Sequence, residues 1–169
     1  MAENTNKLSK HVALLRISFG VIWLINALLK WQPTFRNTFF DHIKSVSEGQ
    51  PGWLSSWFHF WTNLIGHNPH LYAVMTALLE SLIALALIFG IARRFTYISA
   101  VIFSMLIWSV AEGFGGPYTS SSTNIDAGII YAVVFLALYG LDRLSIKAKW
   151  SLDNYISKKI SWWSVISNP

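Results

Sequence analysis

Asn26, Lys30, Glu80, Glu112 and Asp126 are the residues whose types and places could do chemistry, because each lies inside or at the end of a long apolar run. Glu80 stands nine residues into its run. At 1.5 Å per residue that is about 14 Å along a helix, near the middle of a bilayer. A carboxylate there costs on the order of 2.5–3.5 kcal/mol and needs a partner or a proton. Ala73, Ala77 and Ala84 flank it on one helical face and allow close approach of another helix, so Glu80 is expected to point inward. Arg16, Trp23 and Lys30 recur at intervals of seven in the first run, with Asn26 within about 80° of that stripe. Helical side chains lean toward their own N-terminus, which brings Glu80 toward the level of Asn26 and Lys30 when its helix starts outside. Asn26 is the expected neighbour, with Lys30 in reach of the same network. Arg16, near the inner surface, is expected to snorkel toward the cytoplasm. Glu112 closes the third run, Asp126 opens the fourth, and Trp108 lies one turn below Glu112.

This outer-half cluster admits two readings. One is a network that only locks helices together. The other is a site for a ligand with a polar head and an apolar tail, such as a quinone, held by a few convergent polar groups between aromatic walls. Glu80 and Glu112 would then exchange protons, and Asn26, Lys30, Trp108 and Asp126 would bind the substrate.

The elements that must place these residues follow from composition. Of 169 residues, 53% are hydrophobic and 12% charged, about half the charge of a soluble domain. The mean hydropathy is +0.42. The apolar residues gather into four runs, about 12–29, 71–92, 95–111 and 125–141, each near the ~20 residues that cross a bilayer. They lack the period-two alternation of barrel strands. The expected fold is an all-α membrane protein, a single domain built as a four-transmembrane-helix bundle. The first run has no small-residue cleavage site after it and reads as a retained span. With the N-terminus inside, Lys7, Lys10, Arg93, Arg94, Arg143, Lys147, Lys149, Lys158 and Lys159 collect on the inner side. Lys30, Arg36 and Lys44 collect outside, a positive-inside bias of nine to three. Both ends are therefore expected on the cytoplasmic side of the cell membrane. The +5 charge sits at the ends of apolar runs, where orientation signals belong, which argues against a nucleic-acid partner.

Residues 31–70 form an external segment too long for a plain connector. Two amphipathic stretches fill it, broken at Ser47–Gly52: Phe35, Phe39, Ile43 and Val46 share one face, then Trp53, Trp57, Phe60, Trp61 and Leu64 share another. They are expected to form an amphipathic helical hairpin at the headgroup level. In the tail, 142–169, Ser151 can cap an interfacial helix with Leu152, Ile156, Ile160 and Trp163 on one stripe.

Other signals carry less. The chain has no cysteine, so covalently attached haem, thiolate zinc and iron–sulfur clusters are excluded. No metal site is expected: His67-Asn68-Pro69-His70 has a proline in place of helical ligand spacing, and no histidine lies at mid-span for haem. Gly113-Phe114-Gly115-Gly116-Pro117 lacks the lysine of a phosphate loop and reads as a helix stop and turn. The hydroxyl run Thr119–Thr123 has no neighbouring base and reads as a polar loop.

The opening Leu15-Arg16-Ile17-Ser18-Phe19-Gly20-Val21-Ile22-Trp23-Leu24, the run Trp108–Tyr118 and the closing Gly140-Leu141-Asp142-Arg143 resemble the DoxX/DoxD group of membrane proteins over about residues 12–145. That resemblance implies a membrane subunit of a quinone-linked respiratory oxidoreductase, since DoxD is the small subunit of a thiosulfate:quinone oxidoreductase. It would anchor a partner subunit and contribute to a quinone pocket, any redox centre belonging to that partner. Other DoxX-like proteins sit in redox-stress complexes or assist assembly, so a non-catalytic scaffold subunit, in a larger complex or a homo-oligomer, is the alternative. The group supplies no agreed catalytic residues to carry over.

Overall fold

The computed structural model describes residues 2–117, 124–144 and 149–167, with side chains from residue 6 onward. The hydroxyl run Thr119–Thr123 and Lys147 lie outside the described residues. All regular structure among the described residues is helical: α1 (Ala2–Lys30), α2 (Pro33–Ser47), α3 (Ser55–Gly66), α4 (Pro69–Phe89), α5 (Arg93–Leu106), α6 (Ala127–Arg143) and two short tail helices, α7 (Asp153–Ile156) and α8 (Ser164–Ser167). Among the described residues, three helical stretches are long and apolar enough to cross a membrane: Asn6–Lys30, Pro69–Phe89 and Arg93–Ala111. Helix α6, with 17 residues, is apolar too and about 25 Å long.

Local chemistry sets these boundaries. Pro69 begins α4, and the Asn68 side chain accepts a hydrogen bond from the Leu71 N–H at 3.1 Å. Gly90 ends it in the left-handed region at φ 63°, two residues before the run of apolar residues stops. A Cβ at Gly90 would overlap the Arg16 guanidinium and the Ser151 hydroxyl. Helix α5 closes in one π-helical turn, Ile107–Ala111, where the Glu112 N–H reaches back five residues to the Ile107 carbonyl.

Helices pack in two tight pairs, α1 on α4 and α5 on α6. Each pair crosses at a glycine. A Cβ at Gly20 would stand 2.9 Å from Leu87 Cβ, and one at Gly128 would stand 2.8 Å from the Trp108 backbone nitrogen. Alanines 27, 73, 77, 84 and 100 are fully buried along the same seams. An aromatic cluster joins the pairs: Phe135 meets Phe19 at 5.0 Å and Trp23 at 5.2 Å, both edge-on.

Helices α2 and α3 pack on each other and on α4. In α2, Phe39 and Ile43 are buried, as the amphipathic pattern anticipates. Along α3 and the 3₁₀ turn before it, Gly52–Leu54, the expected face is divided. Trp57 and Trp61 turn inward with Phe58 and Ile65, whereas Trp53 and Phe60 are 80% and 58% exposed. The apolar arc of α3 is about 160° wide at 100° per residue, so one edge covers the body and the other is left outward. The tail departs further from expectation. Instead of one amphipathic helix it forms α7, a single 3₁₀ turn and α8, because Ser151 and Asp153 are used to bind the α4–α5 turn.

Candidate functional site

The polar residues of the membrane-embedded runs converge at the end of the molecule that carries α2 and α3. Lys30, in the last turn of α1, places Nζ 3.0 Å from Glu80 Oε1 on α4. Glu80 is 2% exposed, at a level where the α1–α4 seam is otherwise alanine. Lys30 also stands over the Phe35 ring at 5.6 Å. Asn26 turns the other way and donates to the Tyr131 hydroxyl on α6 at 3.4 Å. The expected order of partners is thus reversed: the long lysine stem reaches Glu80, and the shorter amide meets the tyrosine.

Glu112 follows the π turn of α5 and accepts the Gly128 N–H at 2.8 Å, which ties it to the first turn of α6. Burial holds the Glu112 carboxyl above the usual carboxylate range. The amide hydrogen bond from Gly128 opposes this, and the charge of Asp126 adds to it.

These groups surround one cavity of about 150 Å³, with Asn26, Lys30, Glu80, Glu112 and Tyr131 on its walls, closed by Trp23, Ile107 and Ala127. Two fully buried polar atoms of these wall residues have no hydrogen-bond partner among the described residues: the acceptor Glu80 Oε2 and the donor Trp23 Nε1. An unsatisfied buried group costs about 1–3 kcal/mol. A dry cavity of about this volume holds one benzene ring.

Trp108 and Asp126 are not on the cavity wall. Trp108 donates its indole N–H to the Ile125 carbonyl at 3.0 Å and meets Phe114 edge-on at 5.2 Å. Asp126 precedes α6 at φ 63° and acts on the site through its charge beside Glu112. Tyr131 and the π turn were not singled out from sequence. A hydroxyl inside an apolar run is a signal for the first, but nothing in the residues of 107–111 marks the second. Helices α2 and α3 cover this end: His42 Nε2 donates to the Ala111 carbonyl at 2.9 Å, and Trp57 Nε1 to the Ser109 carbonyl at 3.2 Å. No group of three histidine, aspartate or glutamate side chains placed to hold a metal occurs among the described residues.

A second polar cluster at the opposite end is structural. Arg16 is 1% exposed and does not snorkel. It donates to the carbonyls of Leu87 and Ile88, which end α4, and to those of Lys149 and Trp150 in the tail. Arg93 pairs with Asp142 and, at 3.1 Å, with Asp153. Asp153 also accepts the Ala92 N–H at 2.7 Å, the Arg93 N–H at 3.1 Å and the Trp163 indole N–H at 2.8 Å. Unmade carbonyl and amide bonds at two helix ends are satisfied together, which is why these charges are buried rather than solvated.

Comparison with known proteins is brief. The DoxX family model matches residues 11–113, which include Arg16, Asn26, Lys30, Glu80, Trp108 and Glu112. No curated protein and no solved structure matches the chain.

Proposed function

The chain belongs to the DoxX family of membrane proteins, and from that premise we propose that it is a quinone-binding membrane subunit of a respiratory oxidoreductase. In this reading α6 is a fourth span, both chain ends lie in the cytoplasm, and α2 and α3 form an external interfacial hairpin. The positive-inside bias supports that orientation.

One observation carries the ligand assignment. A ring-sized polar cavity lies inside an otherwise apolar helix pack, with the Lys30–Glu80 pair on its wall and Asn26, Glu112 and Tyr131 beside it. Two charges at this depth are costly to keep, and one hydrocarbon pair would fill the seam better. Quinone reduction takes up two electrons and two protons. The electrons would come from a partner subunit, and Glu80 and Glu112, each in its protonated form, would pass one proton apiece to the two ring oxygens, while Lys30 would hold the Glu80 carboxylate that results.

Purified protein in mild detergent should carry a quinone detectable by extraction and mass analysis. Glu80→Gln should keep the fold and abolish quinone-linked activity of the complex. Bulk phospholipid alone, without saturable quinone quenching of tryptophan, would reject the reading. A scaffold subunit is the second reading. It is favoured by the tail, which Arg16 and Arg93 fasten rigidly while Trp150, Tyr155 and Trp162 remain exposed as a platform.

A further inference from the structure

Two apolar spaces lead away from the polar cavity. The first, about 150 Å³, lies under α2 and α3 between Phe39, Ile43, Trp61, Tyr72 and Val110. The second is a groove of about 500 Å³ between α4 and α5, along Leu82, Ala86, Phe95, Ser99 and Ile102. Leu79, Phe103 and Leu106 line both, so the two adjoin. Ile107, the first residue of the π turn, lines both the apolar space under α2 and the polar cavity. Ile107 therefore borders both the ring-sized site and the apolar spaces, which follow α5 for about 16 Å from Leu106 to Phe95.

We propose that this path holds the linear hydrocarbon tail of the ligand whose ring occupies the polar cavity, with Ile107 as the residue the tail passes. The inference rests on the quinone reading and names the substrate class, a long-tailed prenyl quinone rather than a free ring. The direction of the path selects this occupant. An ordinary phospholipid chain hangs from a headgroup at the membrane surface, whereas here the polar end of the path is the buried Lys30–Glu80 cavity. The α4–α5 groove exists because each helix packs mainly on a different partner, α4 on α1 and α5 on α6, and the two meet each other far less closely.

Protein in nanodiscs is titrated with a tail-less dimethoxy-methyl-benzoquinone and with the same ring bearing a prenyl tail. Thr76→Phe fills the space under α2 without touching the polar wall, and Ala86→Phe fills the groove. Both variants should bind the tail-less ring as wild type does and the tailed quinone at least tenfold more weakly. A tailed probe with a photoreactive group at its end should label peptides within 79–106 of the unaltered protein, and unlabelled tailed quinone should compete. The photolabel uses wild-type protein, so it decides the matter even where a variant fails to fold. Equal loss of both probes, or labelling outside 79–106, overturns the tail path. So does labelling of that groove by a photoreactive phospholipid that quinone does not displace. Failure of the tail-less ring to bind wild type overturns the quinone reading itself, and the tail path with it.

Discussion

Lys30 and Glu80 meet at 3.0 Å across the α1–α4 seam, and only one oxygen of the carboxylate is used. The partners differ in surroundings: the lysine side chain is 26% exposed and the glutamate 3%. Lys30 can therefore retreat to the headgroup level along its stem if the pair is broken, while Glu80 cannot follow.

Glu80→Leu should therefore cost less than the 3–5 kcal/mol typical of breaking a buried pair in a soluble protein. We expect about 1–2 kcal/mol, the scale of polar contacts between membrane helices. Glu80→Gln should cost under about 1 kcal/mol, since it keeps volume and a hydrogen bond. Reversible unfolding in mixed micelles measures both. A leucine variant as stable as wild type would show that the pair contributes nothing to assembly.

The two glycines of α6 should behave oppositely. At Gly128 a Cβ would press to 2.8–2.9 Å on the Trp108 nitrogen, the Ser104 carbonyl and the Glu112 carboxylate, two of them backbone atoms that cannot swing aside. Gly128→Ala should lower stability by about 1–3 kcal/mol by overpacking. Around Gly140 nothing lies within 4 Å, so Gly140→Ala should be neutral or stabilising by up to about 1 kcal/mol. Equal effects in thermal unfolding would refute the α5–α6 crossing.

These contacts show where sequence is informative. Asn26, Lys30, Glu80 and Glu112 could be grouped from sequence because depth follows from a rise of 1.5 Å per residue and an intramembrane charge has to face inward. The pairing among them was not legible. Whether Lys30 or Asn26 takes Glu80 depends on rotation and stem length, which periodicity does not encode. The inner cluster was misjudged for a related reason. An arginine near a membrane edge normally snorkels, and the sequence does not reveal that the tail returns its Lys149 and Trp150 carbonyls to Arg16.

Tail docking should fail when its hub is removed. Asp153 is 2% exposed and accepts from two backbone amides and two side chains of other segments. Lys158 and Lys159 are exposed but held in the docked tail, so Asp153→Ala should let that segment open into a protease cleft and speed trypsin cleavage there in membranes opened on the cytoplasmic side. Asp153→Glu should restore partial protection. Cleavage rates equal to wild type in the alanine variant would mean the latch is not formed in the bilayer.

Glu112 should impose a pH dependence of definite sign. Its carboxyl is held above the unfolded value by burial, so the folded chain binds that proton more tightly than the unfolded chain. The stabilisation is complete below the unfolded pKa of about 4.3 and is lost as pH rises through the folded value. Relative to Glu112→Gln, wild type should therefore lose stability on going from about pH 4 upward toward neutrality. A difference in unfolding midpoint that stays constant across that range would contradict the burial of Glu112.

The claim that Glu80 exchanges a proton with a bound quinone is tested most directly by redox-induced infrared difference spectroscopy on the protein in native lipid. Converting bound quinone to quinol should change a carboxyl or carboxylate band in wild type. That change should vanish in Glu80→Gln while the quinone bands themselves remain. Identical carboxyl signals in wild type and Glu80→Gln, with quinone bound in both, would contradict the account.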